Sequence, residues 1–202
     1  MLNFLFPTPI YIEKDLGFVD IGNKWFNKAR YYNGPLKTEK FRTTLVTESY
    51  SPGGAGVTFD CSQEPEWVGW SQFVTYHVSQ YIKERKLKPY KVNLGNTWLN
   101  EVDSSGGQSR HSHYGYTVSG VYYTQVPVGS GQLMFHNDQV PIQHFLSQIE
   151  EDTPFNCPDW WIPVETGTIV LFPSHTTHSV PILEFEGIRR SIAFDVTLRW
   201  EG

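Results

Sequence analysis

Two histidines of the chain stand two residues apart, His111 and His113 in the stretch "RHSHYGYTV". Alternate residues of a β-strand point to the same face, so both imidazoles could bind one metal ion. A third ligand has to come from elsewhere, and "FPSHTTHSVP" offers His175 and His178. This spacing indicates a candidate metal site built on imidazoles, and it raises the question of which carboxylate accompanies them.

A pair of arginines follows in "RRSIAF", where Arg189 and Ser191 are two apart and share a strand face. An arginine on an inward strand face needs an anionic partner, and a bidentate carboxylate fits its planar guanidinium. Arg190 then points outward. Arg189 follows His178 by 11 residues, and His178 follows His111 by 67.

Two amphipathic helices are predicted in the N-terminal half. The segment 18–30 has apolar residues at helical spacing, with Asp20 as its N-cap, and a second helix runs from Trp67 to about Leu87. The apolar and proline-containing segment 1–16 is interpreted as a first strand rather than a signal peptide.

After Tyr90 the chain is rich in Val, Ile, Tyr, Phe and Thr, separated by Gly and Pro, as is typical of strands and turns. Six strand-like stretches after early helices predict an α+β, mainly β protein, a jelly roll with flanking helices from the N-terminal half. We expect one domain over 1–202, with 1–90 as strand and helical support and 91–202 as the jelly-roll core. The segment 143–165, with Trp160 and Trp161, is predicted to be a long insertion that acts as a lid.

Composition excludes some classes of function. The 202 residues carry a formal charge of −5 with a sequence pI of about 5.8, which disfavours a nucleic-acid binder. No apolar run approaches membrane-spanning length. Cys61 and Cys157 form no CxxC pattern, so the cytoplasm is expected, or the host cytoplasm if the protein is phage-encoded.

The sequence resembles a known family through "LFPTPI", "NTWLN", "HSHYGYTVSGVYYTQVP", "GTIVLFPSHTTHSV" and "RRSIAF". These stretches look like the 2OG-Fe(II) oxygenases that are common in marine bacteria and their phages. Members of that superfamily have an HxD or HxE motif, a distal histidine and then an arginine, often as RxS. The resemblance implies a double-stranded β-helix, Fe(II), 2-oxoglutarate as co-substrate, and O2.

Carried over residue by residue, the resemblance makes His111 the first histidine of the motif and His178 the distal one. It makes Arg189 and Ser191 the pair that holds the far carboxylate of 2-oxoglutarate. Asn100 corresponds to an asparagine that binds the co-substrate. His178 is preferred over His175 as the distal ligand because of the "HSV" that follows.

His113 departs from the superfamily pattern, which has a carboxylate at this position, although the immediate family accepts HxH. Three neutral imidazoles leave the site one unit more positive than two imidazoles and a carboxylate. Either His113 ligates the metal, or a carboxylate such as Asp138 completes the site. A literal HxD, His136 with Asp138, is an alternative position for the whole motif.

The expected function is hydroxylation of an unidentified small-molecule or peptidyl substrate, with release of succinate and CO2. We expect neither nucleic acid nor a membrane as partner and allow for a homodimer. Two alternatives remain open: a cupin-like three-His dioxygenase or isomerase that does not use 2-oxoglutarate, and a non-catalytic metal-binding module.

Overall fold

A computed structural model describes residues 7–29, 32–33, 41–44, 59–88, 90–137 and 149–200. Two α-helices lie within these ranges, α1 (Val19–Lys28) and α2 (Trp67–Glu84), and a short 3-10 helix spans Cys61–Gln63. The strands are β1 (Tyr11–Lys14), β2 (Tyr32–Asn33), β3 (Phe41–Thr43), β4 (Tyr90–Asp103), β5 (Gln108–His111), β6 (Val118–Gln125), β7 (Gln132–His136), β8 (Asp159–Pro163), β9 (Thr168–Pro173), β10 (His178–Val180) and β11 (Ile188–Trp200).

The strands form two antiparallel sheets. The larger sheet has seven strands in the order β1-β9-β6-β11-β4-β3-β2, and the smaller has four in the order β5-β10-β7-β8. Long strands occur where β-branched and aromatic residues follow one another, since these residues pack well on a pleated surface. From β4 to β11 the chain passes repeatedly between the two sheets, with β7 and β8 as consecutive strands of the smaller sheet, and this connectivity is that of a jelly roll.

The larger core lies between the helices and the outer face of the seven-stranded sheet. Trp70 of α2 is fully buried, and its ring lies 5.4 Å from Phe194 of β11 and 6.1 Å from Tyr122 of β6. Trp25 of α1 packs edge-on against Trp70. The two helices therefore support the strands from which the candidate site is built.

A second, smaller core lies between the two sheets. It contains Tyr123, Val170 and Phe172 from the larger sheet and Leu133 from the smaller one. Phe172 meets Phe135 edge-on at 5.1 Å and so joins the sheets. Side chains that point to this interior, rather than toward the helices, are the ones that can reach a common ligand.

The predicted jelly roll with helices from the N-terminal half is confirmed. Asp20 is not the N-cap of α1, because Phe18 occupies that position without a side-chain cap, and Asp20 lies in the first turn. The lid expected over 143–165 is wrong in part, because Asp159–Pro163 pairs with β7 as a strand. Residues 143–148 lie outside the described residues. Within the described ranges, neither helix is long and apolar enough to cross a membrane.

Candidate metal and co-substrate site

Three histidines converge between the sheets. His111 ends β5 and His178 begins β10, and the two residues are direct partners in the antiparallel register. His113 lies two residues beyond β5, where its backbone N–H donates to the Ser174 carbonyl at 2.8 Å. One ligand nitrogen from each ring lies within 4.8 Å of the other two. The expected grouping of His111, His113 and His178 is present, although His113 reaches it from a loop rather than from the strand.

The Nδ1 atom of each ring has a hydrogen-bond acceptor. His111 Nδ1 lies 2.9 Å from the Ser109 carbonyl, and His178 Nδ1 lies 3.0 Å from the Thr176 carbonyl. A carbonyl oxygen only accepts, so both Nδ1 atoms carry the proton and both Nε2 atoms keep their lone pairs. The Gln108 amide nitrogen, 3.1 Å from His111 Nε2, donates to that lone pair.

The third ring is bound to a carboxylate. His113 Nδ1 lies 2.6 Å from Asp195 Oδ1, so His113 also has its proton on Nδ1 and its lone pair on Nε2. Asp195 is 3% exposed and belongs to β11. All three imidazoles thus have the tautomer that a metal ligand needs, with the second nitrogen anchored by a hydrogen bond.

The surroundings of the cluster are apolar. The Phe172 ring lies 4.7 Å from His178, and the Trp98 ring lies 5.6 Å from His113. Burial lowers the pKa of His178 well below its ordinary value, and the neighbouring His111 and His113 act in the same direction. The neutral imidazole, which is the form that binds metal, is therefore favoured at His178.

Arg189 is buried on the same side of the larger sheet. Its side chain lies over the Tyr123 ring at 5.9 Å, and Nη1 donates to the carbonyls of Ser130 at 2.7 Å and Gln132 at 3.0 Å. The residue is 2% exposed, and its Nε has no hydrogen-bond partner. Within the described ranges no carboxylate forms an ion pair with it. A buried guanidinium bound only to neutral carbonyls suits an anionic ligand.

Ser191 and Asn100 lie beside each other on this interior face. They are register partners between β11 and β4, and Ser191 also lies opposite Tyr123 of β6. Both residues are buried. The Asn100 side-chain oxygen accepts a hydrogen bond from the Thr43 hydroxyl at 2.8 Å, which fixes the orientation of the amide.

Four further residues were candidates for a role in the site: His175, Arg190, His136 and Asp138. His175 is exposed, whereas His178 is buried and lies in the cluster with His111 and His113. Arg190 points away from the interior, as expected, and its Nε donates to Glu101 at 2.9 Å. His136 does not join the cluster, because its two nitrogens contact Asp159 and the Ser179 hydroxyl. Asp138 lies outside the described residues.

Sequence reasoning missed Asp195 and Gln108. Asp195 follows Arg189 and Ser191 on alternate positions of one strand, and it is the acidic residue of an otherwise apolar run, "SIAFDV". That period-two pattern was a usable signal. Gln108 had no comparable signal, because a glutamine three residues before a histidine is not a recognisable motif. Its contact with His111 follows from the course of β5, which the sequence alone does not show.

A histidine cluster between the sheets of a jelly roll, with a buried arginine on the same interior face, is the arrangement of a non-haem iron oxygenase. Residues 96–195 match the model of the family described as "Putative 2OG-Fe(II) oxygenase". The chain belongs to this family, whose members use Fe(II), 2-oxoglutarate and O2. It is therefore an oxygenase of this class rather than a cupin-like enzyme without 2-oxoglutarate or a non-catalytic module.

Solved structures with the same fold are distant in sequence. A 2OG-Fe(II) oxygenase family oxidoreductase from Burkholderia pseudomallei is 10% identical, with 93% of this chain and 84% of that chain covered and a TM-score of 0.62. HygX from Streptomyces hygroscopicus, with nickel and 2-oxoglutarate bound, is 11% identical, with coverages of 94% and 83% and a TM-score of 0.56.

A prolyl hydroxylase from Trichoplax adhaerens, in complex with a hypoxia inducible factor peptide fragment, is 13% identical, with coverages of 93% and 83% and a TM-score of 0.56. A further HygX structure also contains hygromycin B. At these identities the likeness shows the fold alone. Sequence comparison with curated proteins finds no match.

Proposed function

We propose that His111, His113 and His178 hold Fe(II) through their Nε2 atoms. The observation that carries this proposal is that each Nδ1 is bound to an oxygen acceptor, while the three rings converge within 4.8 Å. Rings anchored in this way present preoriented lone pairs to a common ion. The Gln108 amide, which now donates to His111 Nε2, gives way when the ion binds there.

The co-substrate is held at its far end by Arg189 and Ser191, with Asn100 beside them. Arg189 supplies a cation in a buried interior, and its partnerless Nε is a donor for a carboxylate oxygen. The Ser191 hydroxyl and the Asn100 amide add polar groups on the same face. A dicarboxylate with a 2-oxo acid at one end suits a site whose metal ligands come from β5, the loop beyond it and β10, and whose guanidinium comes from β11.

Bound Fe(II) supplies the redox chemistry by which decarboxylation of 2-oxoglutarate, with release of succinate and CO2, is coupled to oxidation of a second substrate. The side chains and carbonyls around the site position the three imidazole rings and exclude water from them. The hydrogen bonds to Ser109, Thr176 and Asp195 fix the three rings, and Phe172 and Trp98 keep water away from them. The expected outcome is hydroxylation of an unactivated C–H bond.

The second substrate is proposed to be a small molecule or a peptide. Oxygenases of this fold accept both kinds, as the complexes of HygX with hygromycin B and of the Trichoplax prolyl hydroxylase with a peptide illustrate. Exposed aromatic side chains offer contact area for either, with Tyr114 next to His113 at 88% exposure and Trp161 on β8 at 52%.

The direct test is uncoupled turnover. Purified protein is reconstituted anaerobically with Fe(II), supplied with 2-oxoglutarate, exposed to O2 and analysed for succinate by mass spectrometry. Succinate that depends on Fe(II) and is lost in His178→Ala is expected. Failure to take up metal, together with failure to bind 2-oxoglutarate in calorimetry, would overturn the proposal.

A further inference from the structure

Asp195 has an unusual environment for a carboxylate. It is 3% exposed and lies between the apolar residues Phe194 and Val196. The irregularity beside it belongs to β4, where Gly95 and Asn96 lie opposite Asp195, whereas Asp195 keeps a regular register with Ser119 of β6. Asp195 Oδ1 lies 2.6 Å from both His113 Nδ1 and Ser119 Oγ, and the Ser119 and Ser174 hydroxyls lie 2.9 Å apart.

The negative charge of Asp195 has little compensation from the chain. Within the described ranges, its ion-pair partner is His113, and no lysine or arginine lies within ion-pair distance of it. A buried carboxylate without a positive partner is strongly destabilising. By contrast, the buried Glu101 on the opposite face of the same sheet has two arginine partners, Arg42 and Arg190.

The ring of His113 lies between this carboxylate and the candidate metal site. His113 binds Asp195 through Nδ1 and offers Nε2 to the cluster of three histidines. An imidazole bonded to a carboxylate in this way is oriented, has a fixed tautomer and is a more basic metal ligand. The Nδ1 atoms of His111 and His178 have neutral carbonyl partners instead, so the Nδ1 atom of His113 differs from theirs in having a carboxylate partner.

We propose that Asp195 is a positioning residue that supplies, through His113, the negative charge that a directly coordinated carboxylate would supply. This inference rests on the proposed Fe(II) site. The carboxylate that the HxH motif lacks is thus present at Asp195, which contacts His113 rather than the cluster itself. The Ser119 hydroxyl donates to this carboxylate, and alternation along β11 directs Asp195 to the same interior face as Arg189 and Ser191.

The first test measures metal affinity with Co(II), followed by its visible absorption, in wild type, Asp195→Asn and Asp159→Asn. The asparagine keeps the shape and an acceptor oxygen but removes the charge. Affinity is expected to fall about 10- to 100-fold in Asp195→Asn, the usual effect of losing such a partner. Asp159→Asn is the matched control, because it removes the charge from the same kind of pair, with 2.5 Å between Asp159 and His136 Nδ1, outside the cluster; Asp159 also pairs with Arg110. It should bind Co(II) as wild type does.

The second test reports on the hydrogen bond itself. In the Zn(II)-loaded protein, the Nδ1–H proton of His113 should resonate downfield of those of His111 and His178, because it bonds to a carboxylate and the other two bond to backbone carbonyls. In Asp195→Asn this resonance should move upfield while the other two stay. Ser119→Ala leaves the carboxylate but removes its anchor, so a smaller loss of affinity and a smaller shift are expected. If Asp195→Asn does not fold, the same two measurements on Ser119→Ala still test the role of Asp195.

The outcomes distinguish a failure of the proposed metal site from a failure of the role proposed for Asp195. If wild type binds no Co(II), or if His111→Ala binds it equally well, the proposed metal site fails. If wild type binds Co(II) through the histidines but Asp195→Asn and Ser119→Ala match its affinity and spectrum, only the role of Asp195 is overturned. Equal losses in Asp195→Asn and Asp159→Asn would also overturn it, since they would indicate a general electrostatic effect.

Discussion

Replacing Arg189 by glutamine should abolish tight binding of 2-oxoglutarate and leave metal binding intact. The guanidinium is 2% exposed, has a partnerless Nε and is bound to two neutral carbonyls. Glutamine removes the charge but keeps an N–H that can donate to a carbonyl. A bound carboxylate then loses its buried cation.

The expected loss follows from the burial of the pair. Removing one partner of a buried, hydrogen-bonded charge pair costs about 2–5 kcal/mol. At about 1.4 kcal/mol for each factor of ten, the dissociation constant of 2-oxoglutarate should rise by roughly 30- to 4,000-fold. Titration calorimetry on the Ni(II)-loaded protein measures it.

Two controls make this prediction specific. Arg190→Gln changes the adjacent arginine, which binds Glu101 on the opposite face, and should leave the affinity unchanged. 2-Oxopentanoate keeps the 2-oxo acid but lacks the far carboxylate, so its binding should be equal in wild type and Arg189→Gln. Equal losses for both keto acids, or an unchanged affinity for 2-oxoglutarate, would refute the assignment of Arg189.

Three further predictions test other parts of the molecule. His178→Ala should eliminate stoichiometric Co(II) binding, whereas His175→Ala, which alters an exposed histidine, should retain it; equilibrium dialysis distinguishes them. Ser191→Ala removes one hydroxyl from the interior face, so 2-oxoglutarate affinity measured by calorimetry should fall by about 1 kcal/mol, or roughly fivefold. Burial lowers the pKa of His77, and this effect outweighs the opposite effect of the nearby Asp15 carboxylate. As pH falls through about 6.5, the unfolded chain therefore binds a proton on this histidine before the folded protein does. Stability should therefore decline below that pH, and His77→Gln should show a shallower decline in urea unfolding; an identical pH dependence in both proteins would contradict this.

Much of the fold was predictable because its signals are local. The helix from Trp67 has apolar residues at three- and four-residue steps, and the six long strand-like stretches are each continuous in sequence. Strand β8 escaped prediction because its segment, "DWWIP", lies amid turn-forming residues and gains its strand character from pairing with β7. Long-range pairing of this kind leaves little trace in a single sequence.

The site was predictable to the extent that it relies on residue type and spacing. The structure brings together His111, His113 and His178, and it directs Arg189 inward and Arg190 outward. The contact of Asp195 with His113 joins positions 82 residues apart, and it depends on the loop beyond β5 that carries His113. Alternation along β11 predicts the direction of Asp195, but no local pattern predicts the course of that loop.

The position of β5 has a consequence for folding. This strand is four residues long, lies at the edge of the smaller sheet and pairs with β10 through two register partners, one of which is His111 with His178. Coordination of one ion by both imidazoles would cross-link the edge strand to its neighbour and close a loop of 67 residues. Metal loading would then also be a local folding event. The backbone amides of β5 should exchange with solvent much more slowly in the loaded protein, so hydrogen exchange along this edge reports occupancy of the site.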